Sequence, residues 1–295
     1  MRPALSLVLC TRDRAHRLGD CLDAIAAIEC ARPWELVVVD NGSRDETKPV
    51  LEEARGRLPV PLIVVSEPLP GITRARNLGW QSSSAEIVAF TDDDCYPATD
   101  FLERIATRFD HDPDLSFVGG AVELHNPDAA RLGVATRREP LALRPGMFLT
   151  PGTILSASLA FRRRVLVAVG GFDPFFSHGG GPGGGDVDIA ARALAAGWRG
   201  AYDPDIVVRH DHGRAPGPEA DAVRRAYDLG RGAFYAKSAL DPRMRRTYLA
   251  GWAVLTWGRI RRGTGVRPVA RELRGAVRYL AWRVRSRAAA RRVRS

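Results

Sequence analysis

Three carboxylates in a row, Asp92-Asp93-Asp94, close the apolar run Ile87 to Phe90. Neighbouring like charges repel unless a cation or ligand offsets them. Hard divalent ions such as Mg²⁺ or Mn²⁺ take oxygen ligands, and Mg²⁺ is commonly shared between one or two carboxylates and substrate phosphates. Asp92 and Asp94 are the pair suited to that work, with a solvated acidic turn or helix N-cap as the plain alternative. A second pair, Asp186 and Asp188, follows a glycine-rich segment, His178 to Gly185, and opens a stretch of helical spacing. A carboxylate there can take the proton of a weakly acidic hydroxyl; it can equally serve the first turn of a helix. His210 and His212 end the apolar run Ala201 to Val208, where an imidazole can ligate a metal and Asp211 could orient a ring.

The elements that must carry these groups follow from periodicity. Apolar runs at Leu5 to Cys10, Trp34 to Val39, Leu62 to Val65 and Glu86 to Thr91 predict strands, and the intervening Arg17 to Ile28, Thr47 to Leu58 and Gly71 to Ser82 predict helices. That alternation predicts an α/β fold: a mostly parallel sheet with helices on both faces. Ligands of such sheets gather outside the carboxyl ends of the strands. The residues directly after the runs are Thr11 and Arg12, Asp40 and Asn41, and Asp92 to Asp94. Further on, Thr153 to Phe161 predicts a strand, Arg163 to Val169 a short helix stopped by Gly170-Gly171, and Val187 to Ala196 a helix. The glycine-rich segment has no Lys-Ser/Thr after it, so it is not a P-loop; a lid over bound substrate or a plain connection both fit it.

In order and spacing, five segments resemble the inverting family 2 glycosyltransferases of the GT-A (Rossmann-like) fold over roughly residues 4 to 213. They are Leu7-Val8-Leu9-Cys10-Thr11-Arg12-Asp13-Arg14, Val37-Val38-Val39-Asp40-Asn41-Gly42-Ser43, Gly71-Ile72-Thr73-Arg74-Ala75-Arg76-Asn77-Leu78-Gly79, Phe90-Thr91-Asp92-Asp93-Asp94 and Gly170-Gly171-Phe172-Asp173. The resemblance implies a nucleotide-sugar donor, UDP-linked, and a divalent metal, Mg²⁺ or Mn²⁺. By position it implies Thr11 and Arg12 near base and ribose, Asp40 on the base, Arg74 or Arg76 bracing base or phosphate, and Asn77 and Asp93 in the donor-binding set. It implies Asp92 on ribose and metal, Asp94 as direct metal ligand, His210 as a further ligand, and Asp186 as catalytic base. The family's usual Glu-Asp is here Gly185-Asp186, a departure that leaves a binding-only relative open. Gly170 to Pro174 would shape the acceptor-side wall.

Charge divides the chain. Residues 231–295 hold 18 Lys/Arg and 2 Asp/Glu, leaving 26 of the 44 basic and 32 of the 34 acidic residues in 1–230. A nucleic-acid enzyme would more often set its positive field around the catalytic groove, which disfavours a nucleic-acid partner despite the net charge of +10. A metal-dependent nucleotidyltransferase is the other enzyme class considered, and it lacks its usual glycine-rich, lysine-bearing entry after the first strand. The composition shift places a GT-A catalytic domain at 1–214 (nucleotide half 1–95, acceptor half 96–214) and a basic helical extension at 215–295. Within the extension, Thr247 to Ile260 is apolar, carries Trp252 and Trp257, is flanked by arginines and is too short to span a bilayer. Arg271, Arg274, Arg278, Arg283, Arg285 and Arg287 continue the positive face. Two readings stand: peripheral attachment to an anionic membrane surface, or a helical cap packing the tryptophans. Four scattered cysteines and no leader-like start imply the cytoplasm, or the cytoplasmic membrane face. The acceptor, a glycan, lipid-linked or small molecule in envelope, glycolipid or secondary-metabolite glycosylation, is not legible.

Overall fold

The computed structural model describes residues 2–177 and 183–292; His178 and the glycine-rich residues 179–182 lie outside the described residues. Strand β1 (Leu5–Thr11) is buried along its whole length, as a central strand covered on both faces must be. Helix α1 (Ala15–Ala26) returns the chain to β2 (Trp34–Asp40), α2 (Thr47–Arg57) to β3 (Leu62–Ser66), and α3 (Ile72–Ser82) to β4 (Ile87–Asp92). These four strands are parallel, in the order β3-β2-β1-β4. The register sets Thr11 opposite Asp40 and Cys10 opposite Asp92. All three polar strand ends therefore share one edge, and β1 and β4 flank the point where strand order reverses.

The second half completes a mixed sheet of nine strands among the described residues. After β5 (Cys95–Pro97) come α4 (Phe101–His111), β6 (Leu115–Leu124), β7 (Leu141–Leu143), β8 (Leu159–Arg162), α5 (Arg163–Val169), α6 (Gly185–Ala195) and β9 (Arg199–His210). The strand expected over 153–161 is shorter and later: Ser156–Ser158 forms a 3-10 turn, and only β8 pairs, antiparallel, with β4 and β6. Between Asp94 and Thr153, where the sequence carries no stated expectation, the structure builds four elements, β5, α4, β6 and β7. Gly119 and Gly120 sit mid-strand in β6. A Cβ at Gly120 would meet the Ile206 carbonyl oxygen at 2.1 Å, so the backbones of β6 and β9 approach closely there.

Alternation along β1 and β2 splits the core. Leu5, Leu7, Leu9, Leu36 and Val38 pack with α1, α2 and α4 on one face; Val8, Cys10, Val37 and Val39 pack with α3, α5 and α6 on the other. The C-terminal helices α7 (Pro218–Leu240), α8 (Arg245–Arg261) and α9 (Val266–Arg292) join the second cluster through Phe234, Tyr235, Tyr248 and Tyr279. Helices α7 and α9 touch backbone to backbone: a Cβ at Gly232 would fall 1.7 Å from the Glu272 carbonyl oxygen. Glu272, 1% exposed, accepts from Arg231, Arg259 and the Trp252 indole. Trp252 is thus turned inward, whereas Trp257 is 63% exposed.

Candidate active site

The acidic triplet is divided by burial. Asp93 points inward and accepts a 2.7 Å hydrogen bond from the Thr11 hydroxyl. Burial pushes its carboxyl up to about 6, against the Thr11 bond and the Arg14 charge. Asp92 stays partly exposed and receives Arg76 Nη2 at 2.5 Å. Arg76 is itself buried, its guanidinium 5.7 Å from the Phe172 ring centroid. Burial alone would disfavour its charge, but Asp92 outweighs that and Arg76 remains a fixed cation. Arg74, one turn-face away on α3, is exposed and has no ion pair among the described residues.

The register of β5 on β9 pairs Cys95 with His210, and the Asp211 N–H bonds the Asp94 carbonyl at 2.7 Å. This brings together residues more than a hundred positions apart, with His210 Nε2 3.3 Å from Asp94 Oδ1; from the loop after β1, Arg14 Nη1 lies 3.6 Å from Asp94 Oδ2. Burial would raise Asp94, yet His210, Arg14 and Arg17 hold its carboxyl below the usual range. Burial likewise opposes charge on His210, and Asp94 overcomes it, so the imidazole pKa is raised. His210 Nδ1 sits 3.2 Å from the Gly133 carbonyl, which directs Nδ1–H there and turns Nε2 toward Asp94.

His212 is a structural residue. Its Nδ1 accepts the Arg214 N–H at 3.0 Å and its Nε2–H faces the Ala130 carbonyl at 2.8 Å, so both nitrogens are used. Asp211, expected to orient a ring, instead pairs with Arg17 at 3.8 Å; Gly133 does the orienting. Asp94, Cys95 and His210 offer ligand atoms within 4.8 Å of one another. The Cys95 thiol, buried and pushed well above its ordinary pKa by that burial, stays protonated. With Cys95 protonated, Asp94 and His210 Nε2 are the members of that cluster whose carboxylate oxygen and imidazole nitrogen suit Mg²⁺ or Mn²⁺, whereas the Asp92 carboxylate is held by Arg76 and is not part of it.

Asp40 is buried at the end of β2, with Oδ1 accepting the Ser43 N–H at 2.9 Å and Oδ2 without a partner among the described residues. Arg12 is exposed beside Asp13, 3.4 Å away. Asp13 adopts φ 52° and stitches the loop after β1 to that after β2, accepting the Arg44 N–H at 2.7 Å and donating its own N–H to Ser43 Oγ at 3.1 Å. Asn77 was expected on the donor. The structure uses it as a brace: its amide holds the Phe172 N–H and C=O, both at 2.8 Å, and takes the Trp80 indole. Asp93 is a brace for the same reason, its carboxylate facing Thr11 within the protein.

Across the cleft, Asp186 lies in the first turn of α6, with Oδ1 accepting the Val187 N–H at 2.8 Å. Burial raises its pKa, the Val187 N–H and Arg76 oppose that, and Asp92 adds to it. Asp186 therefore shares Arg76 and Asp92 as electrostatic neighbours with the donor edge. Asp188 is different: fully buried, it binds Arg192 at 2.9 Å and Lys237 at 2.7 Å. Arg192 also holds the Gly171 carbonyl at 2.7 Å, and Lys237 reaches Asp173 at 2.6 Å, so the turn after α5 is clamped from two sides. Sequence reasoning missed Arg14 and Lys237. Arg14 stood inside a matched segment and was legible; Lys237, deep in the basic extension, carried no signal. A cavity of about 320 Å³ opens beside Asp186.

Residues 3–227 match the family described as Glycosyltransferase like family 2. Among curated relatives, Glycosyltransferase AglE of Haloferax volcanii is 29% identical over 235 residues, covering 78% of this chain and 73% of that protein. The pre-mycofactocin glycosyltransferase of Mycobacterium tuberculosis is 28% identical over 252 residues, and the match spans 80% of this chain but only 49% of the relative. Among solved structures, the mannosyltransferase PcManGT of Pyrobaculum calidifontis, in complex with GDP-Man and Mn²⁺, superposes with a TM-score of 0.63 at 22% identity, covering 96% of this chain and 83% of that one. The sheet with its reversal beside β1, the carboxylates gathered at that edge and a family match over most of the chain lead to one conclusion: this is a family 2 glycosyltransferase of the GT-A fold.

Proposed function

We propose that the protein moves a sugar from a nucleoside diphosphate donor to an acceptor hydroxyl in a single displacement with inversion. What supports this is that the charges of Arg76 and Asp92, themselves paired at the donor edge, act on the buried Asp186 carboxyl, which puts the proposed base near that edge. Asp186 accepts the acceptor's proton as that oxygen bonds to the anomeric carbon; the bond from that carbon to the diphosphate breaks, and the nucleoside diphosphate leaves. The raised pKa of Asp186 strengthens it as a base. Thr11, Arg12 and Asp40 take the base and ribose, where the free oxygen of Asp40 can accept the imide N–H of uracil, and exposed Arg74 reaches a phosphate. Arg76 fixes the Asp92 carboxylate. Asp92, Asp94 and His210 hold Mg²⁺ or Mn²⁺, which supplies stabilisation of charge on the departing diphosphate.

Residues 1–214 are taken as the catalytic unit and 215–295 as an extension that lays it on an anionic membrane surface from the cytoplasmic side. Supporting this, α9 exposes Leu273, Val277, Leu280 and Val284 at positions i, i+4, i+7 and i+11, and α8 exposes Leu249, Val254, Trp257 and Ile260. Exposed Arg261, Arg262, Arg274, Arg278 and Arg285 border these residues. Among the described residues no helix is long and apolar enough to cross a membrane. The reaction is tested by supplying UDP- and GDP-sugars with Mn²⁺ and membrane or glycan extracts: nucleoside diphosphate should appear, and release of pyrophosphate instead would identify nucleotidyl transfer.

A further inference from the structure

We propose that the cavity beside Asp186 is a pocket for a phosphate-bearing acceptor, an inference that rests on the transfer reaction assigned above. Asp186 is the single carboxylate among the described residues that line it, whereas three guanidiniums do: Arg131, Arg224 and Arg231. Deprotonating a neutral hydroxyl needs the carboxylate alone. Three cations around it are a device for holding an oxyanion.

Their placement supports that use. Arg224, Tyr227 and Arg231 sit at i, i+3 and i+7 of α7, one stripe of the helix, and Arg131 faces them from the loop after β6. Arg131 has no ion pair among the described residues, only the Thr136 hydroxyl at 3.2 Å. Arg224 is exposed and spends one nitrogen on Asp221 at 2.7 Å. A guanidinium offers five N–H donors, so both keep a free fork. Arg231 is anchored through Nε to Glu272 at 3.0 Å and through Nη2 to Asp228, which fixes its position at the cavity wall. Leu155, Val187 and the Tyr227 ring give the same cavity apolar walls. The pocket thus suits a phosphate or diphosphate joined to an apolar or glycosyl body, set so that a hydroxyl of the body reaches Asp186. Asp92, Asp94, His210 and Arg74, assigned above to the donor, are not among the residues that line this cavity.

The test titrates octyl phosphate and octyl glucoside into the full chain saturated with UDP and Mn²⁺, and into the variant carrying Arg131→Gln and Arg224→Gln. Both side chains are exposed, so the variant keeps its fold. Octyl phosphate should bind with UDP in place, octyl glucoside should not, and affinity should fall about tenfold for each guanidinium removed, as a lost charge-assisted hydrogen bond implies. Octyl phosphate that fails to bind, binds the variant equally well, or is displaced by UDP overturns the pocket assignment. Failure of the transferase reading shows separately, as absence of UDP binding in the first step of the same titration.

Discussion

Lys237 Nζ lies 2.7 Å from Asp188 Oδ1, so a half-buried ammonium on the first C-terminal helix is seated on a fully buried carboxylate of the helix that carries Asp186. The same ammonium meets Asp173 at 2.6 Å, and burial is overcome by Arg192 and Lys237 in keeping the Asp188 carboxyl below its usual range. Removing one partner of a buried pair leaves uncompensated charge. Lys237→Met should destabilise the protein by about 3–5 kcal/mol. Urea unfolding checks this, with Lys237→Arg recovering part of the loss; an unchanged midpoint in Lys237→Met would show that α7 is not locked in this way.

Asp186→Asn should cut turnover by at least about 10²–10⁴ while donor binding stays near wild type. Because the carboxyl pKa is raised, the base is competent above that value and is lost as pH falls through it. The acid limb of kcat/KM should therefore lie above the ordinary aspartate value of about 3.9. A profile flat down to that pH, or an active Asp186→Asn variant, would remove Asp186 from the role.

Glu272 gives a stability signature of the opposite sign. Burial works against its charge, but Arg259, the Trp252 indole and Arg231 prevail and hold the carboxyl below its usual range. A folded pKa below the unfolded one means the unfolded state binds more protons in acid. The contribution is complete above the unfolded value of about 4.3 and declines as pH drops through the folded one. Glu272→Gln should lose stability near neutrality and flatten the pH dependence on the acid side of about pH 4.3. Thermal melts across that range decide it, and a variant as pH-sensitive as wild type would be the wrong outcome.

The exposed apolar stripes of α8 and α9 predict flotation with anionic vesicles and release at high salt. Trp257→Ser with Val277→Ser should weaken binding without moving the melting temperature, since both side chains are exposed. Flotation equal on neutral and anionic vesicles, or none on either, would leave the extension as a cap alone.

The parallel half was legible because each strand is an apolar run covered on both faces. Its polar ends were legible too, since Thr11, Asp40 and Asp92 follow those runs directly. The second half was not, because its meaning lies in long-range register. Nothing local places Cys95 against His210, or shows that the Ile206 backbone fills the space a Cβ would take at Gly120. Asn77 and Asp93 show why a motif alone does not fix a role: both make their hydrogen bonds within the protein, to Phe172, Trp80 and Thr11. The arginine-rich extension was visible as helix. Its burial was not, since Phe234, Tyr248 and Tyr279 are spread among charged neighbours.

Calorimetric titration of UDP, with GDP as comparison, tests the donor site directly in wild type, Asp94→Asn and Asp186→Asn proteins, each with Mn²⁺ or EDTA. Nucleoside diphosphate should bind wild type and Asp186→Asn in the presence of Mn²⁺, and binding should collapse with EDTA or Asp94→Asn. Neither nucleotide binding to wild type, or Asp94→Asn binding as tightly as wild type, would contradict a donor site centred on Asp92 and Asp94.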